Sequence, residues 1–143
     1  MADASRAAAA FLDFIPQMMC TLRNELVDSR SGLTIAQFRC LKMVHLSADA
    51  SLGDLADANG VSPPAMSKLV DGLVESGLLE RRSATDDRRR LSLTLTSAGR
   101  RKLEAVGDRL RARLASRLSS LTSAQLNALE QALTTLNTPL VMT

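Results

Sequence analysis

The spacing of the apolar residues changes from helical to strand-like and back again along this 143-residue chain. Before residue 78, apolar side chains recur every three or four positions, as on one face of an α-helix. Residues 91–96 (LSLTLT) alternate apolar and polar without exception, which is typical of a half-buried strand. From residue 97 the helical spacing returns. The predicted fold class is therefore mainly α with one small β-hairpin.

Capping signals divide the first half of the chain into separate helices. Thr34 and Gln37 have the Thr-x-x-Gln spacing of a capping box, and Ser51 opens another short helix with Asp54 at its third position. Pro16 falls inside the first apolar stripe, so it either kinks that helix or marks the start of a second piece.

Two short helices joined by a glycine turn are predicted over residues 51–76. Gly60 favours the left-handed conformation that ends the first helix, while Ser62 suits the N-cap of the second and Pro63 its first turn. We interpret the pair as a helix-turn-helix, whose second helix, about residues 62–76, enters the major groove of DNA. The same pair also occurs as a plain packing unit in helical proteins.

The hairpin that follows is predicted to carry a charged tip between strands at residues 78–82 and 91–96. The tip contains two aspartates and then three arginines within residues 86–90. A charge run is usually only a solvated surface. After a helix of this type, however, arginines at a hairpin tip are placed to enter the neighbouring minor groove, whose negative potential attracts them. The hairpin is thus predicted to be a wing of a winged helix-turn-helix.

Long helices with apolar stripes are predicted near both ends of the chain. Thr96 or Ser97 would cap the first helix after the hairpin, and Thr122 with Gln125 would cap the last. The middle of the chain cannot easily cover all of these stripes, so pairing with a second copy is predicted.

The predicted organisation is one domain over residues 1–143. Within it, residues 34–96 would form the winged helix-turn-helix, while residues 1–30 and 97–143 would form helical dimerisation parts.

The composition argues against several other functions. Only three residues are aromatic, all of them Phe, so stacking platforms for single strands or RNA are missing. Two cysteines and one histidine cannot supply the four ligands of a structural zinc site. No nucleophile–base pair or phosphate-binding glycine loop points to an enzyme. We expect no cofactor, no membrane segment or signal peptide, and a cytoplasmic location.

The formal charge of +3 conceals an uneven distribution of charged residues. Residues 1–75 contain six Lys/Arg and nine Asp/Glu, whereas residues 76–117 contain twelve and five. A basic segment that includes the hairpin tip favours double-stranded DNA as the partner.

Three stretches of the sequence resemble the multiple antibiotic resistance regulator (MarR) family. These are residues 61–70 (VSPPAMSKLV), followed by residues 77–81 (GLLER), and residues 87–99 (DRRRLSLTLTSAG). The order of the predicted elements matches that family over nearly the whole chain. The resemblance implies a homodimeric repressor that binds a pseudo-palindromic operator, and whose repression is often relieved by a small molecule or an oxidant.

The resemblance also implies roles for particular residues. Arg89 would enter the minor groove while Asp87 braces it, and Arg88 and Arg90 would contact phosphates. The exposed face of the second helix would contribute the following residues: Ser62, Pro63, Pro64, Ser67 and Lys68. Ser62 could act as a helix cap alone, Pro64 as a shape contact or merely part of a helix start, and Lys68 as a solvated lysine.

Three further residues are candidates for a ligand or redox site. Cys20 and Cys40 lie on the first two predicted helices, where they are either oxidant sensors or small buried apolar residues. His45 either lines a ligand pocket or has a structural role.

A different class of function also fits the pattern. A helical protein-interaction module, such as an anti-activator, could keep the fold and lose its operator. The three arginines at the hairpin tip favour the DNA-binding hypothesis, because such a module has no use for them.

Overall fold

A computed structural model describes residues 3–47, 50–83 and 91–137 of the chain. The elements, in chain order, are α1 (Ala4–Asp28), α2 (Ile35–Leu46), α3 (Leu52–Asn59), α4 (Pro63–Glu75), β1 (Leu79–Ser83), β2 (Leu91–Leu95), α5 (Ser97–Leu118) and α6 (Ser123–Leu136). The mainly helical fold with one hairpin confirms the predicted fold class. The chain forms two compact units, Met1–Leu110 and Arg111–Thr143.

The predicted caps begin the helices at the expected residues. Thr34 Oγ1 accepts the backbone N–H of Gln37 at 3.1 Å, and Gln37 Oε1 accepts the N–H of Thr34 at 3.0 Å. The same reciprocal pairing opens α3 and α6. Each box satisfies two of the N–H groups that a helix leaves without a partner at its start.

α1 is a single helix that runs through Pro16. Of the two alternatives at this proline, the structure excludes a separate second piece. Pro16 has no N–H to donate to the carbonyl one turn earlier, so the helix continues with one backbone hydrogen bond fewer.

The core of the first unit lies where α2, α3 and α4 meet. Its largest fully buried side chains in this region include Leu41, Leu55, Met66 and Leu73. Ala56 is also fully buried, as the close approach of α3 and α4 requires. The helices are therefore held by apolar burial, for which each large side chain contributes about 1.5–3 kcal/mol.

The turn between α3 and α4 has the predicted geometry. Gly60 adopts the left-handed conformation at φ 65°, which an L side chain rarely adopts. The N–H of Val61 then bonds to the carbonyl of Ala56 at 3.1 Å. This turn fixes the direction in which α4 leaves α3.

β1 and β2 pair as antiparallel strands, with Leu79 opposite Leu95 and Ser83 opposite Leu91. These strands lie within one residue of the predicted ones. Leu79 and Leu93 are buried against the helices. The hairpin is thus anchored at its base to the core of the first unit.

The start of α5 is fitted tightly against the turn that precedes the hairpin. Thr96, not Ser97, is the cap: its Oγ1 accepts the N–H of Gly99 at 3.0 Å and donates to the carbonyl of Gly77 at 2.6 Å. The N–H of Thr96 also bonds to the carbonyl of Leu78 at 3.1 Å. A Cβ on Gly99 would lie 2.1 Å from that same carbonyl oxygen.

An ion pair connects α1 to α5 within the first unit. Arg109 Nε lies 2.9 Å from Glu25 Oε1, and the Glu25 side chain is only 3% exposed. The sequence alone does not predict this pair. A buried carboxylate requires such a partner, because removing a charge from water is costly.

None of the helices in the described ranges has the length and apolar character needed to cross a bilayer.

Candidate nucleic-acid interface

α4 has one buried face and one exposed end. Met66, Val70 and Leu73 are fully buried against α2 and α3. The four residues that open the helix, 62–65, are exposed, as is Lys68 one turn later. α4 is thus fixed by its apolar side and presents its N-terminal end to solvent.

The structure brings the predicted α4 residues together at this end. Ser62, Pro63, Pro64 and Lys68 are exposed, and Ser67 is half-buried. Ser62 is the N-cap, with its Oγ accepting the N–H of Ala65 at 3.3 Å. The capping role is therefore confirmed, and the contacts of these five residues with DNA stay predictions.

Two interactions that support α4 and its neighbour were not predicted. Arg81 on β1 forms an ion pair with Asp71 on α4, which ties the hairpin to the helix. Arg39 on α2 donates to the carbonyl of Ala58 at 2.7 Å, near the end of α3. The sequence signal for the Asp71–Arg81 pair is an acid on α4 followed by a basic residue in the next strand, β1. The hydrogen bond from Arg39 to Ala58 has no such signal, because α2 and α3 approach each other only in the folded chain.

The tip of the wing lies outside the described residues. This includes the predicted minor-groove arginine, its brace and the two phosphate contacts, namely Arg89, Asp87, Arg88 and Arg90. The pairing of β1 with β2 is described as far as Ser83 and Leu91, which flank residues 84–90.

The three candidates for a ligand or redox site lie in different environments. Cys20 is exposed on α1, where Asn24 Nδ2 donates to its Sγ at 3.6 Å. Cys40 is fully buried, and burial raises the pKa of its thiol to about 11. His45 is exposed in the last turn of α2. Within the described ranges, no group of three His, Cys, Asp or Glu side chains could hold a metal ion.

The two thiols are expected to react very differently. An aromatic disulfide reagent must reach the sulfur and is attacked by the thiolate. The exposed Cys20 should therefore react in the native protein, whereas Cys40, which is buried and has a raised pKa, should react only after unfolding. We expect one fast equivalent at pH 8, two in denaturant, and none fast in Cys20→Ser. Two fast equivalents in the native protein would contradict the burial of Cys40.

The raised pKa of Cys40 also has a consequence for stability. Its unfolded thiol ionises near 9.0 and its folded thiol near 11, so the native state holds the proton longer. The contribution of the buried, protonated Cys40 thiol to the free energy of unfolding is therefore fully present below pH 9.0. It is lost as the pH rises towards 11.

Comparisons with known proteins agree with this geometry. Residues 31–90 match the model of the MarR family. The transcriptional repressor Rv2887 of Mycobacterium tuberculosis is 35% identical over 104 residues, which cover 69% of this chain and 75% of that protein. The transcriptional repressor MdtR of Bacillus subtilis is 30% identical over 107 residues, covering 73% of this chain and 69% of the relative.

Solved structures share the fold over most of the chain. The crystal structure of Rv1404 from M. tuberculosis superposes with a TM-score of 0.77 and 26% identity, covering 95% of this chain and 92% of that one. The MarR family protein Rv2887 of M. tuberculosis, in complex with salicylic acid, superposes with a TM-score of 0.65 and 30% identity. The match covers 86% of this chain and 93% of that one. The winged helix-turn-helix assembled from α2 to β2, and the relatives that share it, confirm the resemblance seen in the sequence: the chain belongs to the MarR family of DNA-binding transcriptional regulators.

Proposed function

We propose that the protein is a homodimeric repressor that binds a pseudo-palindromic operator in double-stranded DNA. α4 enters the major groove, and the wing enters the adjacent minor groove. Repression is relieved by a small molecule or an oxidant. In this proposal residues 34–96 bind DNA, and residues 1–30 and 97–143 form the dimer within one domain.

The observation that carries the proposal is the two-sided structure of α4. A helix that reads a groove must be held rigidly from behind and be free of contacts in front. Met66, Val70 and Leu73 hold it from behind, while its N-terminal end is exposed. The ion pair between Asp71 and Arg81 adds a contact between α4 and the first strand of the wing.

The distribution of charge supports the contact with DNA. The basic segment, residues 76–117, includes the wing and the start of α5. Arg100 and Arg101 are exposed in the first turn of α5, close in sequence to the wing. We propose that Arg89 enters the minor groove with Asp87 as its brace, and that neighbouring arginines neutralise phosphates.

Exposed apolar side chains support the dimer in each unit separately. In the first unit all but Leu46 of α2 lie on α1, and in the second they lie on α6. Those of α1 are Phe11, Leu12, Phe14, Ile15, Met19 and Val27, and those of α6 are Leu126, Leu133 and Leu136. Such surfaces on a monomer indicate an interface.

The effector is proposed from a relative and from the thiols. Rv2887 was crystallised with salicylic acid, which supports a small-molecule ligand for this chain as well. For an oxidant, the exposed Cys20 is the accessible sensor, since Cys40 is buried with a raised pKa.

Binding to DNA is expected to depend steeply on salt. Each neutralised phosphate releases a counterion, so log K falls with log salt at a slope of about −0.9 per contact. Lys68→Gln should reduce the slope by about one if Lys68 contacts a phosphate. The check is a gel-shift titration at several salt concentrations, with Lys42→Gln on α2 as the matched control. A flat plot would favour the interaction-module alternative.

A further inference from the structure

The N-terminal end of α4 has lost most of the donors that usually face a ligand there. An α-helix opens with four N–H groups that have no partner inside the helix. Pro63 and Pro64 carry no N–H, and the N–H of Ala65 is bonded to the Ser62 hydroxyl at 3.3 Å. The backbone here offers little to a phosphate oxygen.

The same end is apolar, exposed and rigid. Pro63, Pro64 and Ala65 are all exposed, although each carries only carbon in its side chain. At the third helical position α3 has an acid, Asp54, and α2 has an amide, Gln37, whereas α4 has an alanine. Proline rings have almost no side-chain entropy to lose on binding. This end is built for apolar contact.

Each proline is followed, one turn later, by a polar residue on the same side of the helix. Ser67 lies four residues after Pro63, and Lys68 four residues after Pro64. An apolar ring and a hydrogen-bonding group therefore lie side by side on α4. This pair suits a thymine methyl group that lies next to a hydrogen-bond acceptor of the DNA.

We propose that Pro63 and Pro64 read the 5-methyl groups of thymine in the operator. This inference rests on the proposed function, since it requires α4 in the major groove. The thymine methyl is the apolar group on the base edges of that groove. The ammonium group of Lys68, beside Pro64, then contacts a neighbouring phosphate. At this position α4 therefore recognises the operator half-site through a thymine methyl group.

The test replaces single thymines by uracil in a bound duplex obtained by selection, which removes one methyl group each time. We expect one or two positions per half-site at which affinity falls about fourfold, equivalent to about 0.8 kcal/mol for one buried methyl-sized group. The double variant Pro63→Ser, Pro64→Ser should bind the uracil and thymine duplexes equally. Lys42→Ser, which places the same residue at an exposed position of α2, should keep the full difference.

A second measurement needs no variant and so does not depend on how the double variant folds. At a sensitive position, 5-methylcytosine should bind the wild-type protein about fourfold more tightly than cytosine. Sequence-specific binding without any methyl effect, or a uracil effect that the double variant retains, overturns the inference. Failure of the wild-type protein to bind any sequence specifically overturns the proposed function instead.

Discussion

Arg89→Ala is expected to weaken operator binding by about 1–3 kcal/mol, the largest single effect on affinity that we predict. The reason is the loss of a guanidinium from the narrow, electronegative minor groove. The measurement is a gel-shift titration at physiological salt with the selected operator. Arg30→Ala, an exposed arginine after α1, serves as the matched control and should leave the affinity unchanged.

Arg89→Lys separates shape from charge in the same assay. A lysine keeps the charge but not the planar fork, so it should recover only part of the affinity. An alanine variant that binds as tightly as the wild type would contradict the wing assignment, while leaving α4 as the DNA-contacting element.

Gly99→Ala is expected to be the most destabilising of the glycine-to-alanine substitutions among the described residues. The new Cβ would lie 2.1 Å from the carbonyl oxygen of Leu78, which is backbone and cannot swing aside. The junction of wing and α5 must then shift, at a cost of about 1–3 kcal/mol or more. Thermal and urea unfolding measure the loss.

Gly107→Ala is the matched control for that substitution. It makes the same change in the same helix, but nothing lies within 4 Å of the added Cβ. Helix propensity then predicts a gain of up to about 1 kcal/mol in the free energy of unfolding. Equal stability of the two variants would contradict the close approach of α5 to Leu78.

Local signals predicted most of the fold because they depend on a few neighbouring residues. The caps at Thr34, Ser51 and Thr122 involve residues three apart, and the alternation in residues 91–96 marks β2 directly. Pro16 and Thr96 were ambiguous for the opposite reason. Whether a helix runs through a proline, and which hydroxyl caps α5, depends on the packing around them.

The candidate site could be predicted only in part. The exposed end of α4 follows from its apolar stripe, since whatever lies opposite Met66 and Val70 must face outward. The ion pairs of Asp71 with Arg81 and of Glu25 with Arg109 require elements that the fold brings together. Cys20 and Cys40 look alike in the sequence, and only the structure separates an exposed thiol from a buried one.

Selection of bound sequences from random duplex DNA tests the central claim most directly. The account predicts enrichment of a pseudo-palindrome whose half-sites lie about one helical turn apart, roughly 10–10.5 base pairs centre to centre, as a two-fold dimer requires. No enrichment, or enrichment of a single asymmetric site, would contradict a dimeric, operator-binding repressor.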